Sequence, residues 1–239
     1  MQTVNQWLRR KDIQRVRDVS VEELVSEKFH RDPMRPLHYD PAAFYSPADG
    51  FILHSMAVDH DQRIVQVKGR NLTAQELLQD PWYTARSLVI GIFLTFYDVH
   101  VNRIPTDGFV HFRRHFGVEN EPMDAVEASI FKGEHVNPDD LTYVFTNERV
   151  ITRVYCPRLL QSYYLVQIAD KEVGTISLFP QEGESLHQCE RFALMRFGSQ
   201  VELIIPLTNA RLKFTALVDG KTLFHVEGGV DKLVKVETR

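Results

Sequence analysis

The sequence predicts a mainly β protein of α+β type: an antiparallel, barrel-sandwich-like β domain preceded by helices and carrying one short inserted helix. Three observations predict it. From residue 44 onward apolar residues recur with period two in many short runs. Asp-Gly pairs at 49–50, 107–108 and 219–220 place tight turns between such runs. The composition, 44% hydrophobic over 239 residues, supplies apolar surface for one large β-rich domain and excludes intrinsic disorder. The expected division is an N-terminal helical and extended segment, 1–43, followed by a β domain, 44–239.

Residues 1–28 read as helical, because Val4, Trp7, Leu8, Ile13 and Val16 recur at helix-like spacings without Pro or Gly. Ser20 and Glu23 form a capping box that starts a second short helix to about Lys28. The first helix carries Arg9, Arg10, Lys11, Arg15 and Arg17 against Asp12 and Asp18. Such a helix either docks its apolar stripe on the core or lies on an anionic bilayer. Strands are expected at Phe51–Val58, Ile64–Lys68, Phe109–Phe112, Leu141–Thr146, Arg149–Tyr155, Tyr164–Ala169, Val201–Leu207, Arg211–Val218 and Thr222–Glu227. The run Leu88–Leu94 is too short to span a bilayer and reads as a core element. Thr73 and Glu76 cap the inserted helix, with Leu77 and Leu78 inward. Residues 117–140, polar and turn-rich, read as a loop or a short excursion. The units Pro47–Ile52 and Pro105–Val110 echo one another as turn-into-strand pieces.

The net charge of −4 offers no basic field for nucleic acid, so none is expected as a partner. Cys156 and Cys189 form neither a disulfide framework nor a zinc knuckle, and read as buried thiols of a reducing compartment. Ten histidines lack metal-ligand spacing, so no metal is expected. The N-terminus has no apolar core of a secretory signal, and the expected location is cytoplasmic or peripheral at the cytoplasmic face of a membrane.

Chemistry has three candidate positions. Phe197-Gly198-Ser199-Gln200 precedes an apolar strand and is ordinarily a turn. Its chemical reading is backbone cleavage: the Ser199 hydroxyl attacks the Gly198 carbonyl, where the missing side chain leaves room. The resulting ester eliminates, and hydrolysis of the dehydroalanine leaves a pyruvoyl group. The second candidate is Asp98-Val99-His100-Val101-Asn102-Arg103. An extended chain would put Asp98, His100 and Asn102 on one face, with a His for proton transfer and an Arg fork for an anion. A structural His is the plainer reading. At Ser46–Gly50, Asp49 is either a turn former or a carboxylate that orients a base. His111, Arg113, Arg114 and His115 read as a solvated strand face or a contact for an anionic head group.

In order along the chain, FHRDPMRP (29–36), SPADGFI (46–52), VKGRNLTAQELL (67–78), FYDVHVNRIPTDG (96–108), NERV (147–150), VGTISLF (173–179) and ERFALMRFGSQVELIIP (190–206) resemble the phosphatidylserine decarboxylase family. These enzymes are self-cleaving and pyruvoyl-dependent, and the resemblance is to the compact bacterial-type members. It implies a cut between Gly198 and Ser199, giving a β chain of 1–198 and an α chain of 199–239, with the pyruvoyl cofactor made from Ser199. It implies a self-processing role for Asp49 and an active-site role for His100, expected to be the acid that returns a proton after Schiff-base decarboxylation. Arg103 and Asn102 are the expected substrate-binding residues. Longer members carry a second His where Arg103 stands; Arg is a poor base, so the base for cleavage stays open between Asp49 and His100. His30 and Gln200 also depart from the usual family residues. The implied substrate is phosphatidylserine. Alternatives are a soluble amino acid or modified serine, or an uncleaved homologue that binds lipid without catalysis. A homodimer and peripheral membrane contact through the N-terminal helix complete the expectations.

Overall fold

The computed structural model describes residues 1–117, 119–171, 176–196 and 198–239; Phe197 and residues 173–175 of the matched segments lie outside the described residues. A nine-stranded antiparallel sheet runs Gln2–Thr3, Phe224–Val226, Gly50–Val58, Ser87–Leu94, Ser199–Pro206, Gln161–Ala169, Arg149–Cys156, Gly108–His115, Ser185–Leu186. The sheet is open rather than closed, and each edge is a two-residue strand, too short to template pairing with another chain. Two three-stranded sheets accompany it: Ile176–Leu178, Arg191–Met195 and Val101–Arg103; and Leu212–Ala216, Lys232–Thr238 and Ala43–Tyr45.

Alternation along the central strands makes two cores. Ile90, Ile92, Leu94, Val201, Leu203 and Ile205 meet Phe44, Phe192, Met195, Val234 and Val236 of the smaller sheets. Val89, Phe93, Val166, Ile168 and Ile204 point the other way, onto Val4, Trp7, Leu77, Val126, Ile130 and Tyr143. The strands Ser87–Leu94 and Ser199–Pro206 are therefore buried on both faces at every position. That double burial is why the run Leu88–Leu94 lacks a polar alternate. The two echoed turn units lie side by side, Tyr45 N–H donating to Pro105 O (3.0 Å) and Arg103 N–H to Pro47 O (2.7 Å).

The N-terminal stretch forms short helices at Val4–Leu8 and Lys11–Arg17, then Val21–Glu23 running into a π-helical turn Leu24–Lys28. Thr3 caps the first through a reciprocal bond with Gln6, and Glu23 N–H donates to Ser20 Oγ (3.1 Å). The apolar stripe docks inward. Trp7 is fully buried, edge-on to Phe51 at 5.2 Å and stacked on His225 at 5.3 Å. The residues left exposed on these two helices are polar, Asn5, Gln6, Arg9, Lys11, Asp12, Gln14, Arg15 and Arg17, so their apolar stripe is spent on the core. Trp7→Ala is expected to cost about 3–5 kcal/mol, the usual price of an emptied large aromatic site, read as a lowered denaturation midpoint.

Three sequence expectations need correcting. Leu141–Thr146 is not a strand: Pro138–Asp140 is a 3-10 turn, and Tyr143–Thr146 is helical, with Tyr143 and Val144 buried. A short apolar run carries no periodicity of its own, and the Asn137 cap on Asp139 N–H sets the helical path. Residues 117–140 are not all loop, since Asp124–Lys132 is a helix closed by Gly133 at φ +72°. Its apolar face, Val126 and Ile130, was hidden among acidic neighbours. Thr73 does cap Ala74–Leu78, but Glu76 turns its carboxylate to Arg70 (2.9 Å) instead of completing the box. Among the described residues no helix is long and apolar enough to cross a membrane.

Candidate active site

Ser199 opens a central strand, paired with Leu94 on one side and Ala169 on the other. Alternation turns its side chain towards the first core, with Val201 and Leu203. It is fully buried, and its hydroxyl has no hydrogen-bond partner among the described residues. An orphaned buried hydroxyl costs about 1–3 kcal/mol, so stability alone gives no reason for it. Gly198 precedes it in a bend. A methyl group there would lie 3.1 Å from Asp170 Oδ2, tight against a carboxylate fixed by Met123 and Lys171 N–H groups on Oδ1 (3.1 and 2.7 Å).

Gln200, next along, points into the opposite core and anchors the strand. Tyr143 OH donates to Gln200 Oε1 (2.5 Å), Gln200 Nε2 donates to Glu202, and Glu202 Oε2 lies 2.9 Å from His54 Nε2. The path crosses Gly91, where any side chain would strike the His54 ring at 2.5 Å. This buried chain fixes the strand whose first residue is Ser199.

His100 lies in the turn between the strands Ser87–Leu94 and Val101–Arg103. Its main-chain carbonyl accepts from Met195 N–H (3.1 Å), which ties it to the strand leading into Gly198. The ring is fully buried, edge-on to Phe29 at 4.8 Å. Nδ1 lies 2.9 Å from the Asp98 carbonyl, and a carbonyl only accepts, so Nδ1 carries the proton. Burial pushes the imidazole pKa down to about 4, against the pull of the nearby Asp98 carboxylate. At neutral pH the ring is uncharged and Nε2 is a bare lone pair, without a partner among the described residues. Nε2 is therefore available to accept a proton.

Asp98, His100 and Asn102 are linked through main-chain carbonyls, His100 Nδ1 to Asp98 O (2.9 Å) and Asn102 Nδ2 to His100 O (3.5 Å), while their side chains take different further partners. The Asp98 carboxylate accepts from Thr95 N–H and Oγ1 (both 2.8 Å) and meets His225 Nε2 at 2.7 Å. Asn102 is fully buried, its Oδ1 accepting from Gln167 Nε2 (2.7 Å). Arg103 turns outward, to Asp32 (3.0 Å) and the Cys189 carbonyl (3.2 Å). Asp49 is clamped by both Arg35 amino groups (2.6 and 2.7 Å) and by Gly228 N–H (2.8 Å). Its neighbour Gly50 adopts φ +147° because a side chain would sit 2.2 Å from the Phe93 carbonyl. His111 and Arg114 are engaged elsewhere, with Glu182 (2.8 Å) and Glu148. Cys189 is a buried thiol, pushed up to about 11 by burial, and Cys156 is likewise free and buried.

Two cavities flank this region, and neither is lined by Ser199 or His100. One, of about 890 Å³, reaches Asp49, Asp98 and His225; the other, of about 830 Å³, reaches Arg103, Arg191 and Phe179. Asp32, Pro33, Met34 and Arg35 line both, as a strap without regular structure between them. Arg35, Asp170 and Asp32 were not singled out from the sequence. Only the pairing of Ala169 with Ser199 brings Asp170 opposite Gly198, and no local pattern encodes that register.

The phosphatidylserine decarboxylase family model matches residues 23–226. The phosphatidylserine decarboxylase proenzyme of Cupriavidus taiwanensis is 30% identical over 188 residues, 79% of this chain and 70% of the relative. Proenzymes of the same name from Ralstonia pickettii and Burkholderia lata are 31% and 30% identical, over 76% and 75% of this chain and 67% of each relative.

Proposed function

This chain belongs to the phosphatidylserine decarboxylase family, and from that premise we propose that it cuts itself between Gly198 and Ser199 and converts phosphatidylserine to phosphatidylethanolamine with release of CO2. The observation that supports this best is the buried, unpartnered Ser199 hydroxyl behind a residue with no side chain. His100 Nε2 accepts the hydroxyl proton as Oγ closes on the Gly198 carbonyl carbon. The peptide C–N bond breaks, the Ser199 nitrogen is protonated, and an ester replaces the amide. Loss of the Ser199 α-proton then expels the Gly198 carboxylate and leaves dehydroalanine at position 199; its imine tautomer takes up water and releases ammonia, so the 199–239 chain begins with a pyruvoyl group.

The residues fit a pyruvoyl group made from Ser199: the position is dry, held from both sides by Leu94 and Ala169, and preceded by a bend that can retract once cut. Such a group supplies an electron sink for the pair left when the substrate carboxylate departs as CO2. Around it, the chain's own residues exclude water and hold geometry. Phe29 packs on His100, Arg35 fixes Asp49, Asn102 is locked by Gln167, and Arg103 presents its guanidinium to the neighbouring cavity.

The denatured mass of purified protein, together with CO2 release from phosphatidylserine vesicles, tests the reading. Expected are two chains, residues 1–198 and 199–239, the smaller with a ketone-reactive N-terminus. A single chain with Ser199 intact and no CO2 release overturns it.

A further inference from the structure

We propose that Arg103 and Arg191 form the subsite for the substrate's phosphodiester, and that Asp32 occupies it as a built-in stand-in until the lipid displaces it; this rests on the decarboxylase reading above. The Asp32 carboxylate spans the two guanidinium groups, Oδ1 to Arg103 Nη2 at 3.0 Å and Oδ2 to Arg191 Nη1. Among the described residues no other carboxylate pairs with either arginine. A carboxylate and a phosphodiester each offer two anionic oxygens on one centre, and an arginine fork accepts both. Removing Asp32 would leave two facing cations without a counter-ion, which an incoming anion must supply. Arg103 holds a spare donor as well, since its buried Nε has no partner among the described residues.

The position suits a phospholipid more than a free anion. Arg103 and Arg191 are paired across neighbouring strands, and each strand runs directly to the reaction region: Val101–Arg103 back to His100, Arg191–Met195 onward to Gly198. Three steps of the backbone, about 10 Å at ~3.3 Å each, separate Arg103 from His100. The length of the Arg103 side chain and the extent of a serine head group are of that order. The same cavity is rimmed by Met34, Leu37 and Phe179, exposed by 99%, 68% and 52%. Apolar side chains left in water beside two arginines match a molecule with an anionic head and a hydrocarbon body. Asp32 sits on the strap between the two cavities, so its displacement also frees the strap from that wall.

The processed wild-type protein, Arg191→Ala and Asp32→Asn test this. Both side chains stand at the cavity surface, so neither change empties a core site. Two measurements are made: KM for monomeric dihexanoyl-phosphatidylserine, and calorimetric affinity for dihexanoyl-phosphatidylethanolamine, with inorganic phosphate titrated separately. Arg191→Ala is expected to weaken lipid affinity and raise KM at least tenfold, more than it lowers kcat. Asp32→Asn is expected to tighten both about threefold or more, and inorganic phosphate to bind at least tenfold more weakly than the lipid. Unchanged lipid affinity in Arg191→Ala, unchanged or weaker affinity in Asp32→Asn, or phosphate binding as tight as the lipid each overturns the subsite. In those cases wild-type turnover persists and the decarboxylase reading stands. A wild-type protein that is cut at Gly198 yet neither binds nor decarboxylates the lipid overturns both.

Discussion

Ser199→Ala is expected to yield one intact 239-residue chain with no detectable decarboxylation, the largest effect any single substitution should have here. The hydroxyl is the only group at position 199 able to attack the Gly198 carbonyl, and removing it removes the ester through which the chain breaks. The substitution itself should fold. Ser199 Oγ makes no hydrogen bond among the described residues, so alanine forfeits none, and the strand pairing with Leu94 and Ala169 is main-chain. Relative to the uncut precursor, which still carries it, deleting an unsatisfied buried hydroxyl should raise stability by about 1 kcal/mol or more. Against that precursor the two readouts move in opposite directions, cleavage lost and denaturation midpoint raised. Normal cleavage of Ser199→Ala, read as denatured mass, would remove Ser199 as the nucleophile.

Much of this site was legible because its parts are carried by short local sequences. Gly198-Ser199 stands out as a pair ahead of an apolar strand, and Asp49-Gly50 as a turn, whatever the rest of the chain does. Partnerships were not legible. Asp49 finds Arg35 fourteen residues upstream, His54 finds Glu202 across Gly91, and Asp170 reaches Gly198 only through strand register. The three polar residues expected to share a face do not follow strand alternation, because Asp98 and His100 both precede the strand Val101–Arg103, and they meet through main-chain carbonyls instead. Strands with one wet face, such as Gly108–His115, were found roughly in place. The errors fell where apolar residues are few and continuous, as at Leu141–Thr146, or diluted by acids, as at Asp124–Lys132. There tertiary packing decides between helix and strand.

His100→Gln is expected to slow self-cleavage by about a hundredfold or more, the scale on which a positioned base contributes. Glutamine fills most of the volume against Phe29 and can donate to the Asp98 carbonyl, but it offers no basic nitrogen. Because the His100 pKa lies near 4, the wild-type base is already neutral at pH 6–8, so its protonation should leave the cleavage rate flat there and lower it as pH falls towards 4. A second signature separates base from filler. The folded pKa is depressed from 6.5 to about 4, so the unfolded chain binds this proton first as pH drops. Stability from His100 is complete above about pH 6.5 and lost as pH falls towards 4, amounting to about 3 kcal/mol across the window. Glu127 has the opposite slope in part of that range: burial lifts its carboxyl to about 8, which favours the folded state at low pH and withdraws that support as pH rises. The wild-type curve alone would mix the two. In a Ser199→Ala background, where both proteins stay uncut, the difference between His100 and His100→Gln cancels Glu127 and isolates His100: the advantage of the histidine should shrink by about 3 kcal/mol from pH 6.5 to 4 in denaturant titrations. A pH-independent difference would mean that His100 is not held neutral by burial, and wild-type cleavage in His100→Gln would take it out of the mechanism.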